Sequence, residues 1–166
     1  MHAPPYHVLF VCTGNSARSV LSEATLNVLG GRLFMAYSAG SHPTGRVNPF
    51  AIRQLQATGI PSSGYRSKSW DEFSGPDAPP LDIVVTVCDS AAAESCPAFF
   101  GDFITTHWGL EDPASVEGSD EVKMAAFAKA HRVIRHRIEQ MIALPIQGMP
   151  EPALRQKLAT IGRSLP

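Results

Sequence analysis

The feature that most constrains the fold is a short polar loop near the N-terminus, set between a strand pattern and a helix pattern. Residues 6–11 (YHVLFV) are mostly β-branched, aromatic or aliphatic, which is typical of a strand. The loop, residues 12–19, reads CTGNSARS. After it, apolar residues recur at helical spacing, at Val20, Leu21, Ala24, Leu26, Val28 and Leu29. A strand that leads through a tight loop directly into a helix predicts an α/β fold.

The loop carries a cysteine at one end and an arginine at the other, six positions apart. Backbone N–H groups at the start of a helix are unpaired and bear partial positive charge, so they bind anions. The same N–H groups, together with the guanidinium of Arg18, favour the thiolate form of Cys12. The sequence therefore predicts a nucleophilic thiolate inside an oxyanion pocket.

Other interpretations of this loop explain less of it. A lone cysteine is most often a small buried apolar residue, but that role needs no arginine at the helix start. A dinucleotide-binding loop needs three spaced glycines, and only Gly14 is present. A Walker loop would end in Gly-Lys-Ser or Gly-Lys-Thr, and that ending is missing.

Length and charge narrow the class of protein. The chain has 166 residues and a formal net charge of −1, which suits a single domain and disfavours a nucleic-acid-binding surface. We find neither a secretory signal pattern nor an apolar run of membrane length, so we expect a cytoplasmic protein without membrane contact. Three cysteines are too few for a disulfide scaffold and fit thiol chemistry in a reducing compartment.

Strand and helix patterns alternate along the rest of the chain. This order predicts a parallel sheet covered on both faces by helices, with functional residues at the carboxyl ends of the strands. Further strands are predicted at residues 33–39, 83–87 and 103–107; helices are predicted at 48–58, 119–144 and 153–161, with one helical turn at 70–73 in the loop 62–80. The inward face of the longest helix is predicted at Val122, Ala125, Ala126, Phe127, Ala130, Val133, Ile134, Ile138, Met141 and Ile142.

Two further cysteines follow the third predicted strand. Cys88 comes directly after it, as Cys12 follows the first, so both loops open on the same edge of the sheet. The alanine-rich segment between Cys88 and Cys96 predicts a short helix, which would hold their Cα atoms about 12 Å apart. A disulfide needs Cα atoms within about 7 Å, so this pair bonds only if the helix unwinds.

Two ordinary core cysteines remain an alternative. A zinc site is disfavoured because there is no Cys-x-x-Cys and only His107 stands nearby as a further ligand.

The last predicted strand is followed by the loop HWGLEDP, residues 107–113. Asp112 precedes a proline, which holds its backbone extended. A carboxylic acid held over an oxyanion pocket can protonate a departing oxygen. A turn aspartate before proline is the simpler explanation for Asp112 alone, but its combination with Cys12 and Arg18 favours an acid.

Together these motifs resemble the thioredoxin-coupled arsenate reductases built on the low-molecular-weight protein tyrosine phosphatase fold. The resemblance covers about residues 6–143 and implies a three-layer α/β sandwich with a four-stranded parallel sheet. We accordingly expect a domain over residues 1–145 and a helical C-terminal extension over residues 146–166. The motifs that carry the resemblance are CTGNSARS at 12–19, Ser38-Ala39-Gly40, Val47-Asn48-Pro49, VTVC at 85–88, Cys96-Pro97 and His107-Trp108-Gly109 with Asp112-Pro113.

The resemblance also implies a role for each residue of the first step. Cys12 would attack arsenate as a thiolate, and Asp112 would protonate the departing hydroxyl. Ser19 would hydrogen-bond the sulfur of Cys12. The oxyanion would be held by the Arg18 side chain and by the backbone N–H groups of Thr13, Gly14, Asn15, Ser16, Ala17 and Arg18.

For the later steps, the resemblance implies a relay of disulfides. Cys88 would attack Cys12 and release arsenite, and Cys96 would then attack Cys88. The resulting Cys88–Cys96 disulfide would be presented to thioredoxin, with glutaredoxin and glutathione as the alternative reductant. No bound cofactor or metal is expected, and we expect a monomer.

Two of the departures from the family that this sequence resembles lie in or beside the loop. Some members of the family carry a further cysteine in the loop, where this chain has Ala17, and the relay does not need it. Some bind potassium through residues that match Asn15, Glu23, Ser38 and an aspartate, and here Lys68 stands at the aspartate position. We therefore expect the ammonium of Lys68 to replace the ion and the activity to be independent of potassium.

Two rival functions remain open. A low-molecular-weight protein tyrosine phosphatase would act through a cysteinyl-phosphate, but Ala114 and Ser115 after the acid offer no ring on which a tyrosine substrate could stack. Weak hydrolysis of small aryl phosphates remains compatible with the pocket. A non-catalytic sensor would bind an oxyanion, or would itself be oxidised once, without consuming reductant catalytically.

Overall fold

The computed structural model describes residues 2–88 and 102–166. Within these residues a parallel sheet contains four strands: β1 (Tyr6–Cys12), β2 (Phe34–Gly40), β3 (Ile83–Thr86) and β4 (Ile104–His107). Their spatial order is β2-β1-β3-β4, and every neighbouring pair is parallel. The predicted four-stranded parallel sheet is therefore confirmed.

The helices follow the predicted order along the chain. They are α1 (Arg18–Leu29), α2 (Pro49–Ala57), α3 (Asp120–Ile142) and α4 (Glu151–Ile161). Helices α1, α2 and α3 pack against one another, whereas α4 packs against β4 and α3. Asn48 caps α2 by accepting the N–H of Phe50, and Ser119 caps α3 by accepting the N–H of Val122. A 3-10 turn at Trp70–Phe73 is present where one helical turn was predicted.

The strand order places the switch point of the sheet beside β1. Strand β1 pairs with β2 on one side and with β3 on the other. The chain therefore leaves β1 toward one edge of the sheet and later returns to add strands on the other side. In open α/β sheets, ligands bind at the carboxyl ends of the strands where this reversal occurs. Here those ends carry Cys12 and, two residues beyond β3, Cys88.

Burial explains why the central strands read as continuous apolar runs. All four residues of β3 are buried, and only His7 of β1 is partly exposed. A parallel sheet covered on both faces leaves no solvent-facing register, so polar and apolar residues do not alternate.

The predicted inner face of α3 is wrong at two positions: Val122 and Ala125 are exposed, and burial of α3 begins at Phe127. Val28, one of the apolar residues at helical spacing in α1, is 46% exposed. Two polar residues take inward positions that the apolar pattern did not assign to them: His131 and Arg137 are both buried.

No helix within residues 2–88 and 102–166 is long and apolar enough to cross a membrane. The predicted short helix between Cys88 and Cys96 lies outside the described residues, as does Cys96 itself.

Candidate active site

The loop that follows β1 is held open by hydrogen bonds on its outer side. The carbonyl of Thr13 accepts the N–H of His42 at 2.9 Å, that of Gly14 accepts the N–H of Thr44 at 3.0 Å, and that of Ser16 accepts the N–H of Asn48 at 2.8 Å. The C=O and N–H of one peptide unit point in opposite directions. Turning these carbonyls outward therefore turns the N–H groups of residues 14, 15 and 17 toward the centre of the loop.

The thiol of Cys12 lies at that centre and is buried. The backbone N–H of Asn15 donates to its Sγ at 3.2 Å, and the hydroxyl of Ser19 lies 2.9 Å from the same sulfur. Both contacts place hydrogen-bond donors on the sulfur, which stabilises a thiolate. The contact predicted between Ser19 and Cys12 is thus present.

The side chain of Asn15 fixes the direction of the Ser19 hydroxyl. The backbone N–H of Lys68 donates to Asn15 Oδ1 at 2.9 Å, which orients the amide. Its Nδ2 then donates to Ser19 Oγ at 2.8 Å. Since that bond occupies an acceptor site of the hydroxyl, the Ser19 O–H is directed to Cys12. Asn15 is fully buried and has φ of 46°, a left-handed conformation that asparagine tolerates.

The first turn of α1 completes the anion pocket. Its N-cap position is Ala17, and no side chain caps the helix. Among the described residues, no partner is found for the N–H groups of Gly14, Ser16, Ala17 and Arg18. The other two predicted oxyanion donors are directed to sulfur instead, since Asn15 bonds Cys12 and Thr13 bonds Cys88. Four N–H groups are therefore open for an oxyanion at the positive end of a helix, and those of Gly14 and Ala17 face the centre of the loop.

The second thiol lies against the same loop. The backbone N–H of Thr13 donates to Cys88 Sγ at 3.3 Å, and the Thr13 hydroxyl lies 3.5 Å from that sulfur. Thr13 follows Cys12 directly in the chain, so the second buried thiol lies against the residue next to the first. This juxtaposition follows from the pairing of β1 with β3.

Arg18 and Asp112 meet at the mouth of the pocket. Arg18 Nη2 lies 3.7 Å from Asp112 Oδ2, and Nη1 donates to the carbonyl of Leu110 at 3.0 Å. Asp112 also caps the turn after it, because Oδ1 accepts the N–H of Ala114 at 2.9 Å. The side chain of Asp112 is 40% exposed and that of Arg18 only 15%. The structure thus brings the predicted acid to the predicted oxyanion ligand.

Behind the loop, a buried carboxylate faces an ammonium. Lys68 Nζ lies 4.0 Å from Glu23 Oε1, which also accepts the hydroxyl of Ser38 at 2.5 Å. Burial raises the pKa of the Glu23 carboxyl and lowers the pKa of Lys68, while the charge of each partner opposes that shift. The carboxylate of Glu23 therefore already faces a cationic group, the ammonium of Lys68.

Gly40, at the end of β2, allows the loop to pack against the sheet. A Cβ at this position would lie 2.5 Å from the Thr13 carbonyl and 3.0 Å from the Asn15 backbone nitrogen. Both are backbone atoms of the loop, which cannot move aside without displacing its N–H groups. Gly40 closes the Ser38-Ala39-Gly40 motif of the sequence, and this close approach is a physical reason for a glycine at that place.

Comparison with known proteins places these residues in a family. The chain matches low molecular weight phosphotyrosine protein phosphatases over residues 7–151. It is 39% identical over 132 residues to an arsenate reductase of Halalkalibacterium halodurans, covering 80% of this chain and 91% of the relative.

Solved structures resemble the chain over a similar span. An arsenate reductase from Archaeoglobus fulgidus is 29% identical, with a TM-score of 0.64 over 82% of this chain and 99% of that one. A low molecular weight protein tyrosine phosphatase from T. tengcongensis is 24% identical, with a TM-score of 0.65 over 83% and 98%. Reductases and phosphatases thus share this fold. With its match over residues 7–151, the chain belongs to the low molecular weight phosphotyrosine protein phosphatase family.

Proposed function

We propose that this chain is an arsenate reductase that reduces arsenate to arsenite through a relay of Cys12, Cys88 and Cys96. The observation that carries this proposal is the position of Cys88, whose sulfur is hydrogen-bonded to the residue after the nucleophile. Hydrolysis of a phosphate ester has no use for a second thiol at that place, whereas a reduction needs one. The reductase names of the relatives support the same choice.

The first step is nucleophilic attack by Cys12. Its thiolate, stabilised by Asn15 N–H and the Ser19 hydroxyl, bonds to arsenic while one arsenate hydroxyl departs. Asp112 supplies the proton, so the departing group leaves as water. The open N–H groups of the loop and the Arg18 guanidinium hold the remaining oxygens.

The second step transfers two electrons to arsenic. The thiolate of Cys88 attacks Cys12 Sγ, and the sulfur–arsenic bond breaks with its electron pair moving to arsenic. Arsenite leaves, and a Cys12–Cys88 disulfide remains. The contact of Cys88 Sγ with Thr13, the residue after Cys12, supports this step, because it places the second thiol against the loop of the nucleophile.

The third step moves the disulfide away from the pocket. Cys96 attacks Cys88 Sγ, and Cys12 departs as a thiolate. A dithiol reductant then reduces the Cys88–Cys96 disulfide; we propose thioredoxin, with glutaredoxin and glutathione as the alternative. Such a cycle requires a reducing compartment, and the cytoplasm is the proposed location. The role of Cys96 rests on the sequence.

The same geometry supports a permanent cation in the site. The ammonium of Lys68 stands 4.0 Å from Glu23 and supplies the positive charge behind the loop. We propose that it replaces a bound potassium ion, so that turnover does not respond to potassium.

Disulfide mapping tests the relay. Fully reduced protein is incubated with arsenate, quenched by alkylation and mapped by mass spectrometry, with arsenite measured in parallel. We expect a Cys88–Cys96 disulfide and one arsenite per chain; Cys96→Ser should trap Cys12–Cys88 with the same yield of arsenite. Cys12→Ser serves as the matched control and should form no disulfide. Absence of arsenite, together with release of phosphate from an aryl phosphate, would instead assign the chain to the phosphatases.

A further inference from the structure

Arg137 is the most deeply buried guanidinium in the part of the chain that is described, and it is paired with carbonyls instead of a carboxylate. It lies on α3 and is 4% exposed. Nη1 donates to the carbonyls of Trp108 at 3.0 Å and Gly109 at 2.9 Å, and Nε donates to that of Ser164 at 3.2 Å. Burying a charge is costly unless it forms such bonds, and burial lowers the pKa of Arg137.

The carbonyls that Arg137 holds belong to the loop that carries Asp112. Arg137 binds residues 108 and 109 of this loop, and Arg18 binds the next carbonyl, that of Leu110. Three consecutive carbonyls are thus fixed by two guanidinium groups, one from the helix of the anion pocket and one from α3. Asp112 follows two residues later, at a turn closed by its own side chain. These three bonds fix the backbone that leads to Asp112.

The C-terminal segment forms the other support of this loop. The indole N–H of Trp108 donates to the carbonyl of Leu158 in α4 at 2.9 Å. Gly162 lies so close that a Cβ there would stand 2.4 Å from the His107 carbonyl oxygen. Ser164 contributes its carbonyl to Arg137, and its hydroxyl contacts His136 at 2.6 Å. Residues 152–166 lie beyond the stretch that matches the family.

We propose that Arg137 and the segment from Glu151 to Ser164 are a brace that positions Asp112 for proton transfer to the departing oxygen. The brace deepens the proposed reductase function and rests on it. Arg137 is a positioning residue, because it does not reach the anion pocket and acts only through the loop carbonyls. The segment from Glu151 to Ser164 accordingly positions the loop of the acid without contacting the substrate.

A double-mutant cycle in kcat tests the brace. We expect Arg137→Met to lower kcat for arsenate at least tenfold with little change in KM, and Arg137→Lys to restore part of the loss. In an Asp112→Asn background the Arg137→Met change should have almost no further effect, since the acid is already gone. Arg135→Met, an exposed neighbour on the same helix, is the matched control. Equal losses from Arg137→Met in both backgrounds would overturn the proposal.

Hydrogen exchange gives a readout that does not depend on turnover. The N–H of Trp108 donates to the carbonyl of Thr86 at 2.8 Å, and we expect Arg137→Met and Gly162→Ala to lower its protection while β1 keeps its protection. Gly148→Ala is the matched control for Gly162, because no atom lies within 4 Å of a Cβ at that position. Unchanged protection at Trp108, or equal loss in β1, contradicts the brace. If the wild-type chain releases no arsenite, the proposed function fails while exchange still decides whether the brace exists.

Discussion

The buried imidazole of His131 predicts how the stability of this protein depends on pH. His131 lies on α3, is 3% exposed and joins the other two helices of its layer: its Nε2 lies 2.9 Å from Thr25 Oγ1 on α1, and its Nδ1 lies 3.0 Å from Gln54 Nε2 on α2. The Thr25 hydroxyl donates to the Leu21 carbonyl at 2.6 Å, so it accepts from the His131 ring. Nδ1 accepts from the Gln54 amide. The neutral ring therefore satisfies both nitrogens, and a second ring proton would face an amide donor.

Burial lowers the pKa of His131 from 6.5 to about 4, and the charge of Arg135 acts in the same direction. In the unfolded chain the imidazole takes up a proton below its ordinary pKa, whereas the folded chain resists protonation until near pH 4. Acid therefore favours the unfolded state throughout this window, and the free energy of unfolding falls as pH falls. With these two pKa values the loss is about 2 kcal/mol between pH 7 and pH 5, and about 3 kcal/mol by pH 4.

Urea denaturation at a series of pH values measures this effect. Other groups also titrate, so the informative quantity is the difference between the wild type and His131→Gln, which has no ring proton to gain. Gln at this position keeps an amide that can bond both partners. We expect the variant to lose about 2 kcal/mol less than the wild type between pH 7 and pH 5, whatever its stability at pH 7. Parallel curves for the two proteins would refute the assignment of this pH dependence to His131.

Three further predictions concern the site. Ser19→Ala removes a hydrogen bond to a charged sulfur, which is worth about 1.5–3 kcal/mol. In steady-state kinetics kcat should therefore fall about ten- to hundredfold, while KM for arsenate changes little. Lys68→Met leaves a buried carboxylate without its cation; a potassium titration should activate this variant and leave the wild type unchanged, and activation of the wild type would contradict the proposal. Gly40→Ala should abolish arsenite production, because the added Cβ would lie 2.5 Å from the loop backbone. Gly75→Ala is the control and should still produce arsenite, since its Cβ would have no atom within 4 Å. Comparable activities of the two variants would contradict the steric argument.

Most of the fold could be predicted because local pattern and tertiary structure agree in this chain. The apolar run before Cys12 forms β1, and the Asn48-Pro49 pair caps α2 as its side chain chemistry requires. Element ends shifted by one or two residues, since hydrogen bonding and not composition decides where a strand stops: the predicted strand 83–87 ends at Thr86. The contact of Ser19 with Cys12 followed from the family resemblance of the loop, and the two side chains lie 2.9 Å apart.

Features that depend on distant segments could not be predicted. The amide of Asn15 is directed by the backbone of Lys68, 53 positions later in the chain, and no local pattern specifies that contact. Apolar periodicity assigns polar residues to the surface, so it missed His131 and Arg137, whose burial is compensated by hydrogen bonds from other helices and loops. A charged residue at an inward helical position is the signal that could have identified Arg137.

The difference between a reductase and a phosphatase on this fold lies outside the anion pocket. The loop from Cys12 to Ser19 binds a tetrahedral oxyanion and activates a thiolate, and both reactions need these properties equally. The fate of the adduct between Cys12 and the oxyanion depends on which nucleophile attacks next. Here a thiol, Cys88, is held by the N–H of Thr13 next to Cys12, while the exposed residues after Asp112 are Ala114 and Ser115, which cannot stack on an aryl group. A nucleophile that attacks sulfur leaves the electron pair on arsenic, whereas water attacking the central atom would only hydrolyse the adduct. The pairing of β1 with β3 brings the Cys88 sulfur beside the loop of Cys12, and we infer that this placement directs the pocket to a redox reaction.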